Sequence, residues 1–256
     1  MKNLFSVDGK VALVTGGSRG IGLMIARGFV ENGVRTYISS RKADVCDQVA
    51  ADLCRHGTCI SLPADLSSQD EIKRLAGELG EREKSLNILV NNAGAAWGAP
   101  FDEFPEAGWD KVMDLNVKSP FFLSQALIKL LQAGASAEDP ARIINIGSID
   151  GLGSPFLETY SYPASKAAII HLTRVMAQRL ASRHINVNAV APGLFPSDMT
   201  GYMLENHQDQ IKAGIPLGRI GEPEDMAGVA IYLSSRASAF VTGVVIAVDG
   251  GSLVAR

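Results

Sequence analysis

Short apolar runs recur along the chain, near residues 11–15, 34–39, 58–62, 88–90, 142–147, 186–191 and 244–248. They are strand-length and rich in Val, Ile, Leu and Ala. The intervals between them are long enough for helices, and Gly, Pro, Asn or Asp stands at the junctions. The first interval carries an amphipathic pattern over residues 23–32 and closes at Gly33. Strand alternating with helix predicts parallel strands, right-handed crossovers and helices on both faces of the sheet. Ligands of such a sheet bind beyond the C-terminal ends of its strands. The residues that follow each apolar run are therefore where chemistry is expected.

Composition narrows the class. At 256 residues, 46% hydrophobic, the chain has the length for one α/β domain, 1–256, with a full core. A net charge of −3 gives no basic excess for nucleic acid. The longest apolar runs, 143–146 and 185–191, are interrupted by Asn and fall far below the ~20 residues of a membrane span. The opening residues lack the apolar core of a signal peptide, so a cytoplasmic protein is expected. Cys46, Cys54 and Cys59 have no C-x-x-C spacing, and His56, His171, His184 and His207 are scattered, so no metal is expected. There is no repeat and no linker; residues 132–140 read as a small-residue surface excursion.

Two places carry candidate chemistry. After the first strand comes Thr15-Gly-Gly-Ser-Arg-Gly-Ile-Gly22, with glycines at Gly16, Gly20 and Gly22 and with Ser18, Arg19 and Ile21 between them. A strand, a glycine turn and a helix form the context of a dinucleotide site, with the pyrophosphate against the helix N-terminus. The spacing is not G-x-G-x-x-G. Where an acidic residue would bind the ribose of NAD, at the end of the second strand, stand Ser39, Ser40 and Arg41, with no carboxylate before Asp44. Arg19 and Arg41 suit an adenosine 2′-phosphate, so NADPH is expected over NADH. The second place is Tyr162-Pro-Ala-Ser-Lys166, which sets a phenol and an ammonium on one side of a helix. A cation beside Tyr162 is expected to draw its pKa down and make it a proton donor for carbonyl chemistry. Tyr160 has Ala164 at the same spacing and is the weaker candidate.

With these go Asp65-Leu66, Asn91-Asn92-Ala93-Gly94, Asn116, Ser148 and Pro192-Gly193, and together they resemble the short-chain dehydrogenase/reductase family of the non-extended type over essentially the whole chain. The resemblance implies a doubly wound Rossmann-type parallel sheet of about seven strands. It implies that Asp65 and Leu66 contact the adenine, that Asn92, Ala93 and Gly94 support the cofactor ribose, and that Lys166 binds the nicotinamide ribose. Pro192, Gly193, Phe195 and Ser197 would hold the carboxamide. Ser148 would hydrogen-bond the substrate carbonyl, Tyr162 would supply the proton, and Asn116 would hold a water connecting Lys166 to solvent.

Ser148 and Tyr162 are fourteen positions apart, which suggests a slightly long loop whose Leu152, Pro155, Phe156 and Leu157 fit either an acyl-accepting wall or packing under a lid. The segment 194–214 is the expected substrate lid, with Met199, Tyr202, Met203 and Leu204 on a helix-like pattern. Residues 215–226, Tyr232-Leu-Ser-Ser and a C-terminal Val-Asp-Gly-Gly are similar to β-ketoacyl reductases of fatty-acid synthesis, and the whole chain to the branch associated with rhamnolipid biosynthesis. That likeness implies a homotetramer reducing 3-oxoacyl groups on acyl carrier protein or coenzyme A. Carrier docking would need basic residues near the cleft, with Lys118, Lys129 and Arg174 as candidates. Two alternatives stay open: a reductase for another ketone, such as a steroid, polyketide or sugar, and a non-catalytic NADPH-binding regulator.

Overall fold

The structure, a computed structural model, describes residues 3–155, 157–197, 209–210 and 212–255. Its elements run β1 (Val11–Thr15), α1 (Gly20–Glu31), β2 (Arg35–Ser39), α2 (Ala43–Leu53), β3 (Cys59–Ser61), α3 (Gln69–Arg82) and β4 (Ile88–Asn91). Then follow α4 (Glu106–Met113), a π-helical turn (Asp114–Lys118), α5 (Ser119–Ala126), α6 (Ile128–Ala133), β5 (Ala141–Ile146) and α7 (Ser161–Leu180). β6 (Ile185–Pro192), α8 (Pro223–Ser234) and β7 (Val245–Val248) complete them. All seven apolar runs are strands, displaced by no more than two residues from the expected bounds. The first helix begins at Gly20 rather than residue 23, because its contact with the sheet outweighs the low helix propensity of glycine.

The sheet has the order β3-β2-β1-β4-β5-β6-β7, and every neighbouring pair is parallel. The chain winds outward from β1 to β3, then returns to lay β4 beside β1 and winds the other way. That reversal leaves a crevice above the β1 and β4 ends. Both faces are covered, so the strands need not alternate apolar with polar. Val14, Ile38, Val90, Ile144 and Val190 face a core with α1, α2 and α8, into which Ile25, Phe29, Leu53 and Leu233 insert. Leu13, Tyr37, Leu89, Ile143 and Val187 face the other core, with Leu75, Leu79, Leu123 and Met176 of α3, α5 and α7.

α1 and α8 pack so closely that a Cβ on Gly28 would sit 2.5 Å from the Ala227 Cβ. Below the sheet, at its N-terminal edge, Arg142 is 1% exposed. Its guanidinium donates to the Leu233 and Ser235 carbonyls at the end of α8, at 3.0 and 2.9 Å, and to Pro140 O. Asp139 pairs with both Arg142 (3.4 Å) and Lys10 (2.7 Å). Burial holds Lys10 and Arg142 below their ordinary pKa values, with Asp139 opposing the shift in each.

Candidate active site

The C-terminal strand ends surround one cavity. Gly16, Ser18, Arg19, Gly20 and Ile21 line it from the β1–α1 turn, and Ser39, Ser40 and Arg41 from the end of β2. Ala64 and Leu66 follow β3, Asn92, Ala93 and Gly94 follow β4, and Pro192, Gly193, Phe195 and Ser197 lie at and after the end of β6. Two conditions suit this cavity to an anionic ligand. The N-cap residue of α1, Arg19, makes no side-chain cap and no acid stands in the first turn, an arrangement whose N–H groups and dipole favour an anion. The basic end carries Arg19 and Arg41, and Ser39 Oγ is buried there without a hydrogen-bond partner among the described residues. Gly22 lies beneath the turn rather than on the cavity wall: a Cβ there would collide with Gly16 O and Asn92 Nδ2.

Asn92 ties the β1 and β4 ends together, its amide donating to Thr15 O at 2.9 Å while Thr15 Oγ1 accepts from its backbone N–H at 2.9 Å. Asp65 is also off the wall. Its carboxylate accepts from the Ser67 N–H (3.0 Å) and hydroxyl (2.7 Å), which shapes the loop that presents Leu66.

Ser148, Tyr162 and Lys166 line the opposite end of the cavity. Ser148 caps a short 3-10 turn by accepting from Asp150 N at 3.1 Å. Lys166 is 6% exposed, donates to Ile146 O at 2.8 Å, and stands 5.5 Å from the Tyr162 ring centre. Burial lowers its pKa to about 8. Tyr162 moves in the direction opposite to the one expected from sequence: burial raises its pKa, a hydrogen bond from Ser148 partly offsets this, and Asp150 adds to the rise. Desolvation disfavours charge on both groups, and a spacing of residues carries no information about it. The phenol is thus held protonated, as a proton donor must be.

Asn116 sits in the π-helical turn, off the cavity wall and 2% exposed. Its amide accepts from Ala95 N (2.8 Å) and donates to Ala95 O and Ser165 Oγ (both 2.9 Å). Ser165 Oγ in turn donates to Tyr162 O at 2.7 Å, so Asn116 links the β4 loop to the start of α7. A Cβ on Gly94 would lie 3.1 Å from Asn116 Oδ1 and 3.7 Å from Lys166 Nζ.

A family profile described as enoyl-(acyl carrier protein) reductase matches residues 16–252. The chain belongs to the short-chain dehydrogenase/reductase family. It is 50% identical over 253 residues to the rhamnolipids biosynthesis 3-oxoacyl-[acyl-carrier-protein] reductase of Pseudomonas aeruginosa, covering 98% of this chain and 99% of that one. The solved Pseudomonas aeruginosa RhlG/NADP active-site complex superposes with a TM-score of 0.95 at 50% identity, over 99% of this chain and 100% of that chain. A gluconate 5-dehydrogenase of Gluconobacter oxydans is 35% identical over 98% of both chains. Short-chain reductases with unlike substrates therefore share this frame.

Other expectations meet the structure unevenly. Residues 198–208, which include Met199, Tyr202, Met203 and Leu204, and residue Phe156 lie outside the described residues. Leu152 and Leu157 are exposed, at 41% and 50%. Lys118 pairs with Asp114 at 3.1 Å, while Lys129 and Arg174 are exposed on α6 and α7. Ala64, Leu115, Ile146 and Gly147 line the cavity without having been singled out. Three of them sit just before or after named residues at strand ends, which is the one signal that could have found them. Among the described residues there is no cluster of three or more His, Cys, Asp or Glu fit to hold a metal, and no helix is long and apolar enough to cross a membrane.

Proposed function

We propose that the chain is an NADPH-dependent 3-oxoacyl reductase, converting the ketone of a 3-oxoacyl thioester to the 3-hydroxyacyl form. The observation that carries this reading is one cavity with two guanidiniums at one end and the Ser148, Tyr162 and Lys166 group at the other. Identity of 50% to a named 3-oxoacyl reductase over nearly the whole chain supports the substrate class. The α1 N-terminus would take the pyrophosphate, Arg41 and Arg19 the 2′-phosphate, Leu66 and the Asp65 loop the adenine, and Lys166 the nicotinamide ribose. Gly193, Phe195 and Ser197 would border the nicotinamide. When bound, NADPH supplies the hydride that reduces the substrate's carbonyl carbon.

The chain's own residues do the rest. Ser148 and Tyr162 hydrogen-bond the carbonyl oxygen, fixing the carbon in place and drawing electron density from it. Tyr162, held protonated by burial, gives its proton to that oxygen as the alkoxide forms. Lys166, with a pKa of about 8, can change protonation near neutral pH and so return a proton toward the phenol. Asn116 keeps Ala95 and the first turn of α7 in register with this group.

The product would enter glycolipid synthesis of the rhamnolipid kind, with the substrate on acyl carrier protein or coenzyme A. A cytoplasmic homotetramer is the assembly and location proposed, on the family likeness. The test is oxidation of NADPH followed by absorbance with acetoacetyl-CoA, with Tyr162→Phe as control. Turnover that Tyr162→Phe abolishes, while NADPH still binds, is the expected result. Failure with acyl thioesters but turnover of a keto-gluconate would move the assignment to the sugar reductases, a reading favoured by the Gluconobacter relative.

A further inference from the structure

Five aromatic side chains, Trp97, Phe101, Phe104, Trp109 and Tyr160, gather on segments that continue from the cavity-lining residues Gly94 and Tyr162. Phe101 and Phe104 each meet the Tyr160 ring edge-on, at 5.5 and 5.7 Å between ring centres, and Phe104 meets Trp109 at 6.5 Å. Trp97 lies across Gly108, with Lys111 Nζ 5.1 Å from its ring centre. A fold normally buries rings of this size, yet Phe101 is 73% exposed and Trp109 42%.

Both segments that build the cluster leave from the cavity. One runs from Gly94 on the cavity wall to Trp97 and Phe101; the other reaches Tyr160 two residues before Tyr162. They are joined by the Ala99 N–H donating to Glu158 O at 3.2 Å, and Tyr160 OH donates to the Glu158 carboxylate at 2.9 Å. The rim is acidic. Asp102, Glu103, Glu106, Asp110 and Glu158 are all exposed around the rings, and Lys111 is the cation among them. An apolar surface with a negative rim accepts a hydrocarbon and repels phosphate.

We propose that this cluster seats the alkyl tail of the substrate. The inference rests on the 3-oxoacyl reading above and adds an orientation to it. The tail leaves the reacting carbonyl past Tyr162 toward Phe101 and Tyr160, and the phosphate-bearing carrier arm leaves on the other side, away from the acidic rim. Reach along this route makes the enzyme select for longer acyl chains, because a short tail ends before the rings.

The experiment measures kcat/KM with NADPH and 3-oxobutanoyl-, 3-oxooctanoyl- and 3-oxododecanoyl-CoA for the intact chain, Phe101→Ser and the conservative Phe101→Tyr. Phe101 is largely exposed, so its replacement tests recognition rather than folding. The intact chain should prefer the two longer substrates. Phe101→Ser should lower the dodecanoyl-to-butanoyl ratio about tenfold, and Phe101→Tyr should restore most of it. An intact chain that turns over thioesters while Phe101→Ser leaves that ratio unchanged, or lowers all three rates equally, overturns the seat and leaves the reductase reading standing. An intact chain that turns over none of them overturns both.

Discussion

Replacing Lys166 by Met should make the folded protein more stable at neutral pH while sharply lowering its activity. Lys166 is 6% exposed, its ammonium donates to the Ile146 carbonyl, and its pKa is lowered by burial from 10.5 to about 8. Below pH ~8 both the folded and the unfolded chain carry the proton, and the folded chain bears the full desolvation cost. The fall from 10.5 to about 8 corresponds to ~3 kcal/mol. Met keeps the apolar stem but leaves Ile146 O without its 2.8 Å donor, which costs ~1–2 kcal/mol. The net gain is ~1–2 kcal/mol at pH 7, or a Tm higher by roughly 2–8 °C for a chain of this length. Between pH ~8 and ~10.5 the unfolded chain holds more protons than the folded one, so the intact protein gains stability as pH rises and the variant's advantage disappears. Thermal unfolding of both proteins without cofactor, at pH 7 and pH 10, measures this. A variant less stable than the parent at pH 7, or a difference that is the same at both pH values, would refute the account of Lys166 as a charge held against its solvation. Turnover should fall at least ~100-fold, since the ammonium beside Tyr162 is gone.

Arg41→Asp should weaken NADPH binding about tenfold or more and narrow the preference over NADH; titration of both cofactors by fluorescence checks it, and an unchanged preference would remove Arg41 from the 2′-phosphate site. Arg142→Met should take a donor from Leu233 O, Ser235 O and Pro140 O, leaving the first two to Ser238 and Asp139 to Lys10, and so lower stability by ~1–3 kcal/mol, read as a Tm lower by roughly 2–12 °C. Because burial holds the Tyr162 phenol above its ordinary value, the rate of ketone reduction should show no loss from phenol ionisation below pH ~10; an alkaline limb near pH 8 that persists in a Lys166 variant would contradict that direction.

Whatever depended on local pattern could be read from the sequence. The seven strands, the glycine turn of Gly16, Gly20 and Gly22, and the side-by-side placement of Tyr162 and Lys166 follow from period, turn chemistry and helical spacing. What depended on surroundings could not. The direction of the Tyr162 shift is set by burial, which no spacing encodes. The π-helical turn that places Asn116 between Ala95 and Ser165 exists because three distant segments meet there. The sequence places Arg142 at the start of the fifth apolar run, and only the packing of α8 against β5 shows the two carbonyls it serves. The aromatic cluster is spread over residues 97–109 and 160, with no periodicity to join them.

The close contact of α1 with α8 at Gly28 reaches further than packing. α1 borders the basic end of the cleft, and α8 starts just after Gly221, where a Cβ would strike the Phe195 ring and whose N–H donates to Leu194 O at 3.0 Å. One pair of helices therefore gauges the gap between the two walls that would grip the cofactor. Segments 95–110, 149–155 and 157–160 lie outside that pair of helices. On the proposed reading, the frame that would hold the cofactor is thus separate from the face that would meet the substrate. That separation is compatible with the range of substrates named for relatives of 35% and 50% identity.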